Sequence, residues 1–176
     1  MNIIFITNEH YPFGMAATMR IKLFSEFFVK NDHEVKVLVS NQDKGMNKRV
    51  GKHNNVIYST MLSDKFPRYV LYIFYPFLVF YQLISLRNNN NKNVLIFSSG
   101  FNLFNLQFII IGKLLGYKVI LDIVEDRIYS SENMSISTKF HIWVSEIILP
   151  YLGWLIDGVV AISTTLKKKY QLLFQK

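Results

Sequence analysis

Six short apolar runs, rich in Val, Ile and Leu, recur along the chain and are separated by longer segments. They occupy residues 2–7, 35–39, 56–58, 93–97, 117–121 and 158–162. Short runs with little polar alternation are typical of strands buried on both faces of a parallel sheet. Helices are predicted over residues 17–30, 103–115, 138–152 and 164–174. Strands that alternate with helices predict an α/β fold, with a doubly wound, mostly parallel sheet and helices on both faces.

The first run leads into a loop that we expect to form part of a binding site. In an open parallel sheet, ligands bind at the carboxyl ends of the strands, because helix N-termini with unpaired N–H groups converge there. Gly14 lets a ligand approach the backbone closely, and Arg20 is suited to pairing with a phosphate group of a ligand. The alternatives are that Gly14 is needed only for the turn and that Arg20 is a solvated residue of the surface. The loop lacks G-x-G-x-x-G, so no dinucleotide cofactor is predicted.

Two further loops belong to the same predicted edge of the sheet. Ser99 and Gly100 follow residues 93–97, and Asp122, Glu125 and Asp126 follow residues 117–121. Carboxylates at the end of a strand can accept a proton from a hydroxyl group or orient a bound ligand. We therefore predict the three carboxylates as catalytic residues, and Ser99 and Gly100 as substrate-binding residues together with the first loop. The alternatives are that Ser99 and Gly100 form a plain turn, and that the acidic residues pair with a neighbouring arginine.

The composition excludes several kinds of site and partner. The chain has 176 residues, which suits one domain, and it has no cysteine, so disulfides, thiolate metal sites and cysteine nucleophiles are ruled out. Its four histidines are scattered, so neither a metal site nor a cofactor is predicted. The net charge of +8 is compatible with nucleic acid, an anionic membrane or a phosphorylated substrate. No nucleic-acid-binding motif is found, so nucleic acid is not an expected partner.

Residues 69–86 contain no charged side chain, and this stretch is nearly long enough to cross a bilayer. Pro76 interrupts it, and the basic residues Lys65, Arg68, Arg87 and Lys92 flank it. Three alternatives stay open: a helix at a membrane interface, a helix covered by protein, or a span. The basic flanks favour an anionic lipid surface. Residues 40–55, in contrast, are hydrophilic and without periodicity, which predicts an exposed loop.

Four stretches carry a resemblance to a known enzyme family: residues 8–14 with Arg20, then 30–37, 116–122 and 157–163. In this order and spacing they resemble the N-terminal, acceptor-side domain of glycosyltransferases with the two-domain GT-B architecture, most closely the large retaining family 4. The resemblance covers essentially the whole chain and implies a single Rossmann-like domain that forms half of a GT-B cleft. Met15 stands where the family usually has a second glycine, and no histidine lies near Asp122.

The resemblance also implies a function. It implies an acceptor-binding domain of a glycosyltransferase that moves a sugar from a nucleotide-sugar to a lipid-linked or polysaccharide acceptor. The family's donor-binding domain, with its paired glutamates, is not found in residues 1–176, so we expect transfer to require a donor-side domain or partner chain. The alternative is a non-catalytic, membrane-anchoring subunit of a split two-chain glycosyltransferase. The first residues do not resemble a signal peptide, and we expect a cytoplasmic protein that is peripheral on the inner face of the membrane.

Overall fold

The computed structural model describes residues 1–40, 50–61, 68–98, 100–125 and 135–174. The strands are β1 Asn2–Thr7, β2 Glu34–Val39, β3 Val50–His53, β4 Val56–Thr60, β5 Asn93–Ser98, β6 Lys118–Ile123 and β7 Gly158–Ala161. The α-helices are α1 Ala16–Lys30, α2 Arg68–Leu86, α3 Leu106–Leu114, α4 Ile136–Ile148 and α5 Thr164–Phe174. The predicted helix 103–115 begins as the 3₁₀ helix Leu103–Asn105, and the predicted helix 138–152 ends in the 3₁₀ helix Leu149–Leu155.

The seven strands form one sheet in the order β3-β4-β2-β1-β5-β6-β7. Every neighbouring pair is parallel except β3 and β4. The chain moves outward from β1 to β2 and β4, and then returns to place β5 on the other side of β1. This reversal of direction is the topological switch point of a doubly wound sheet. The predicted fold class is therefore confirmed: the protein has a Rossmann-like α/β fold.

Helices cover both faces of the sheet, as predicted. On one face, Ile3 and Phe5 of β1 pack in a core with Ile21 of α1. On the other face, alternate residues of the same strand pack with α2, α3, the 3₁₀ helix Leu149–Leu155 and α5, since Ile4 and Ile6 share a core with side chains of these elements. The period of two along a strand explains this division, because successive side chains point to opposite faces.

The predicted loop over residues 40–55 is wrong for residues 50–53, which form the edge strand β3. Asn54 and Asn55 make the hairpin turn to β4, with φ of 47° and 66°, in the left-handed region that asparagine tolerates better than most residues. Gly51 leaves room for the ring of Tyr58, because a Cβ at this position would lie 2.3 Å from the Tyr58 hydroxyl. The polar strand is therefore held by its turn and its partner strand, and not by an apolar pattern.

One side of helix α2 packs against the sheet, and its other side is exposed. Val79 and Leu83 are fully buried in the core of the second face. The buried Tyr117 hydroxyl donates a hydrogen bond of 2.7 Å to the carbonyl of Leu83 and fixes the end of the helix. Among the helices that the structure describes, none is long and apolar enough to cross a membrane. Protein thus covers the side of α2 that carries Val79 and Leu83, and the side that carries Phe77 and Tyr81 is exposed.

Asp157 joins three elements at the amino edge of the sheet. Its carboxylate accepts hydrogen bonds from Lys113 Nζ at 2.8 Å, from Lys118 Nζ at 2.9 Å and from the Val119 backbone N–H at 2.8 Å. Burial raises the pKa of Asp157, but these three donors outweigh burial and lower the pKa below its ordinary value of 3.8. A carboxyl group whose pKa is lower in the folded state stabilises the fold above the unfolded-state pKa and loses this contribution as the pH falls.

We therefore expect Asp157→Asn to be less stable than the wild type at neutral pH. The difference in free energy of unfolding between the two proteins is expected to shrink as the pH falls below 3.8. Urea denaturation of both proteins between about pH 7 and about pH 3 measures this difference. A difference that stays constant over this range would contradict the assigned ion pairs.

Candidate functional site

Three of the predicted site residues lie at one edge of the sheet. Gly14 lies in the loop after β1, Gly100 follows β5, and Asp122 lies at the end of β6. Strands β1, β5 and β6 are consecutive neighbours and parallel, so their carboxyl ends meet at the same rim. This rim includes the switch point between β1 and β5, the position at which open parallel sheets generally bind ligands in a crevice.

The loop after β1 gives helix α1 an open start. A Cβ on Gly14 would lie 1.9 Å from Thr18 Oγ1 and 3.0 Å from the His10 carbonyl oxygen, so only glycine fits without a shift of the backbone. Thr18 is fully buried, and its hydroxyl has no hydrogen-bond partner. No side chain caps the helix at Met15, and its first turn has no acidic residue. A helix start of this kind favours a negatively charged group.

Arg20 and Asp122 form an ion pair across the rim. Arg20 donates through Nε to Asp122 Oδ2 at 2.9 Å and through Nη2 to Oδ1 at 2.7 Å. The Asp122 side chain is only 3% exposed, whereas that of Arg20 is 26% exposed and lies 4.7 Å from the centre of the Phe24 ring. The hydrogen bonds to Asp122 raise the pKa of Arg20 above its usual value. The structure thus brings a predicted substrate-binding residue and a predicted catalytic residue together as partners.

The ion pair uses two N–H groups of Arg20 and both carboxylate oxygens of Asp122. The guanidinium carries further N–H groups, which its partial exposure leaves accessible from the rim. In chemical terms Asp122 can hold and orient Arg20, and Arg20 can donate to a phosphate or a hydroxyl group.

A row of small polar side chains lies next to the pair, at the last positions of the buried strands. Ser98 of β5 is in register with Asp122 of β6, and its hydroxyl donates to the Ile6 carbonyl at 3.2 Å. Thr7 of β1 accepts a hydrogen bond from the Glu9 backbone N–H at 3.0 Å. Sequence reasoning missed Thr7 and Thr18. A polar residue that ends a buried apolar run is the signal that marks Thr7.

Gly100 adopts a left-handed backbone conformation that favours glycine. Its φ is +73°, and a Cβ would lie 2.8 Å from Ile123 Cδ1. Asn102 caps the 3₁₀ helix that follows, because its side chain accepts a hydrogen bond of 2.8 Å from the Asn105 backbone N–H. Gly100 is buried, and its carbonyl accepts a hydrogen bond of 3.4 Å from the Asn105 side chain. It shapes the rim, and it has only backbone groups to offer a substrate.

Three predicted site residues remain, and the structure describes one of them. Glu125 is exposed just beyond β6. Ser99 and Asp126 lie outside the described residues, as does Arg127, the expected partner of the acidic loop. Within the described part of the chain, no three His, Asp or Glu side chains come together as metal ligands.

A separate groove of about 390 Å³ lies between β7 and α5, away from the crevice. It is lined by Asp157, Lys167 and Tyr170 among others. Lys167 and Tyr170 belong to the outer helix α5, and Asp157 is already bonded to two lysines. We therefore take the rim at the switch point, and not this groove, as the candidate site.

Comparison with known proteins finds no family whose sequence profile matches the chain and no curated protein that matches it. The glycosyltransferase resemblance therefore stays a prediction. The fold and the rim described above are the observations on which a function can be argued.

Proposed function

We propose that the protein is the acceptor-binding domain of a glycosyltransferase that transfers a sugar from a nucleotide-sugar to a lipid-linked or polysaccharide acceptor. One observation carries the proposal: Gly14, Gly100 and the Arg20–Asp122 pair lie around the switch point of a Rossmann-like sheet. That crevice is where sheets of this class bind ligands. The order of the four sequence stretches supports a sugar acceptor as the ligand.

The residues at the rim divide the work of binding. Arg20, oriented by Asp122, donates its remaining N–H groups to an acceptor phosphate or hydroxyl. The start of α1, which follows Gly14 and has no side-chain cap, attracts negative charge. Glu125 is the described carboxylate with an exposed position from which it can accept a hydroxyl proton. The nucleotide-sugar is bound by a second Rossmann-like domain, either in the same protein or on a partner chain.

Saturation-transfer NMR tests the proposal with a panel of methyl glycosides and a panel of nucleotide-sugars. We expect signals from at least one glycoside and none from the nucleotide-sugars. Glu125→Gln is expected to weaken glycoside binding about fivefold, the equivalent of one hydrogen bond. Asp32→Asn, which removes an exposed carboxylate in the turn before β2, serves as the matched control and is expected to leave binding unchanged. Binding of nucleotide-sugars alone, or equal losses in both variants, would overturn the proposal.

A non-catalytic subunit of a two-chain glycosyltransferase is the second candidate, and the Arg20–Asp122 pair favours it. Because the two ionic groups satisfy each other, the rim is stable without a ligand. This function predicts that Glu125→Gln leaves transfer by the two-chain enzyme unchanged, whereas the acceptor-binding function predicts a loss. Both functions place the protein at the inner face of the membrane as a peripheral protein.

A further inference from the structure

Large apolar side chains stand exposed on the outer side of the helical layer that covers the second face of the sheet. Tyr151 and Trp154 are each 77% exposed, and Phe77 and Leu114 are 71% and 81% exposed. We call this surface the outer aromatic face. It consists of Phe77, Tyr81 and Ile84 of α2, Ile110 and Leu114 of α3, Phe140, Trp143 and Ile147 of α4, and Tyr151 and Trp154 of the 3₁₀ helix Leu149–Leu155.

Helices α2 and α3 and the 3₁₀ helix Leu149–Leu155 pack side by side, and α4 leads directly into this 3₁₀ helix. Helix α2 contacts α3, α3 contacts the 3₁₀ helix Leu149–Leu155, and the 3₁₀ helix contacts both α4 and α5. Along α4 and the 3₁₀ helix the large apolar residues of this face are spaced by three or four residues, which places these residues along one side. Exposed apolar surface that extends over neighbouring helices is typical of an interaction site.

Basic residues lie close in sequence to the exposed apolar side chains of α4 and α5 and to the end of α2. Arg87 lies just beyond α2, Lys139 precedes Phe140, and Lys168 lies one turn before the exposed Leu172 of α5, whereas Lys113 next to Leu114 is paired with Asp157. Among the residues of α2, α3, α4, α5 and the intervening 3₁₀ helix there is one carboxylate, Glu146. Its side chain is 15% exposed and lies 3.4 Å from Lys169 Nζ. The layer is thus apolar, basic and almost without negative charge.

We propose that the outer aromatic face rests on an anionic lipid surface. Tryptophan and tyrosine suit the boundary between lipid and water, because an apolar ring carries a polar group at its edge. Lysine and arginine next to such rings gain free energy from anionic headgroups. A second copy of the chain fits this surface poorly, because a symmetric pair would bring the same basic side chains together. The inference deepens the peripheral placement proposed above and does not depend on the sugar-transfer function.

Vesicle flotation tests the inference with phosphatidylcholine alone and with phosphatidylcholine mixed with phosphatidylglycerol. We expect the protein to float with the mixed vesicles, to float poorly with the neutral ones, and to lose binding as salt is added. Both tryptophans of the chain, Trp143 and Trp154, belong to the outer aromatic face. Their fluorescence is therefore expected to shift to the blue when the mixed vesicles are added. Flotation without a blue shift would overturn the inference.

Paired substitutions identify the face that binds. Phe77→Ser combined with Phe140→Ser is expected to weaken binding to the mixed vesicles at least about tenfold, since two large side chains no longer leave water. Leu23→Ser combined with Phe27→Ser is the matched control, because these residues of α1 are 64% and 61% exposed on the opposite face of the sheet. The control is expected to bind like the wild type, and circular dichroism checks that both variants are folded.

Three other outcomes would overturn the inference. They are equal losses in the two double variants, no flotation with either vesicle, and a dimer in size-exclusion chromatography that Phe77→Ser with Phe140→Ser dissociates. The last would identify a second copy as the occupant. Failure of the glycoside panel with flotation retained would count against the proposed sugar acceptor alone, because the NMR experiment contains no lipid.

Discussion

Replacing Arg20 with methionine is expected to lower the free energy of unfolding by about 3 kcal/mol. The expected cost is large because the Asp122 carboxyl group, whose side chain is 3% exposed, would lose both of its hydrogen bonds from Arg20 and remain buried. Asp122→Leu is expected to cost less, about 1 kcal/mol, because the partly exposed guanidinium of Arg20 can turn toward water. Removing Arg20, the more exposed residue of the pair, is thus expected to lower the free energy of unfolding more than removing Asp122.

The double variant Arg20→Met with Asp122→Leu is expected to recover most of this loss. Replacing both members of an ion pair with apolar side chains of similar size leaves no unpaired charge. Urea denaturation of the four proteins gives the coupling energy between the two residues. If the costs of the two single substitutions simply add in the double variant, the pair does not stabilise the rim. Arg20 would then be a surface residue held by chance beside Asp122.

The sheet and its main helices could be predicted because their signals are local and strong. The run Val35–Val39 is too short for an average helix and rich in β-branched residues, so it could only be a buried strand. The edge strand β3 could not be predicted, because Gly51 and His53 carry no apolar pattern. What holds β3 is the Asn54–Asn55 turn and the Tyr58 ring of the next strand, and both act only once the hairpin has formed.

For the site, the sequence predicts the edge of the sheet but not the partners. Topology alone brings the loops that contain Gly14 and Gly100 to one rim. The contact between Arg20 and Asp122 joins residues that are 102 positions apart in the chain, and it depends on how α1 lies across the sheet. Arg20 was therefore predicted to bind a substrate and Asp122 to act in catalysis, and the sequence did not indicate that the two side chains pair with each other.

Helix α2 shows where hydrophobic periodicity stops being informative. Residues 69–86 are apolar all round, so no polar face marks the side that points to water. Tertiary contacts decide the matter instead: Val79 and Leu83 pack in the core, whereas Phe77, Tyr81 and Ile84 point outward. Two neighbouring residues of α2 thus have opposite environments, and their substitution provides a direct test of how the helix lies.

Leu83→Ala is expected to lower the free energy of unfolding by about 3 kcal/mol, because it leaves a cavity beneath the helix where the side chain is fully buried. Ile84→Ala is the matched control, because Ile84 is the next residue of the same helix and its side chain is 46% exposed. Its expected effect is within about 0.5 kcal/mol of zero, since alanine has the better helix propensity and little apolar area is lost. Urea denaturation measures both values. Equal costs for the two substitutions would mean that α2 is not packed on the sheet through Leu83, and they would remove the support for an outer aromatic face that includes this helix.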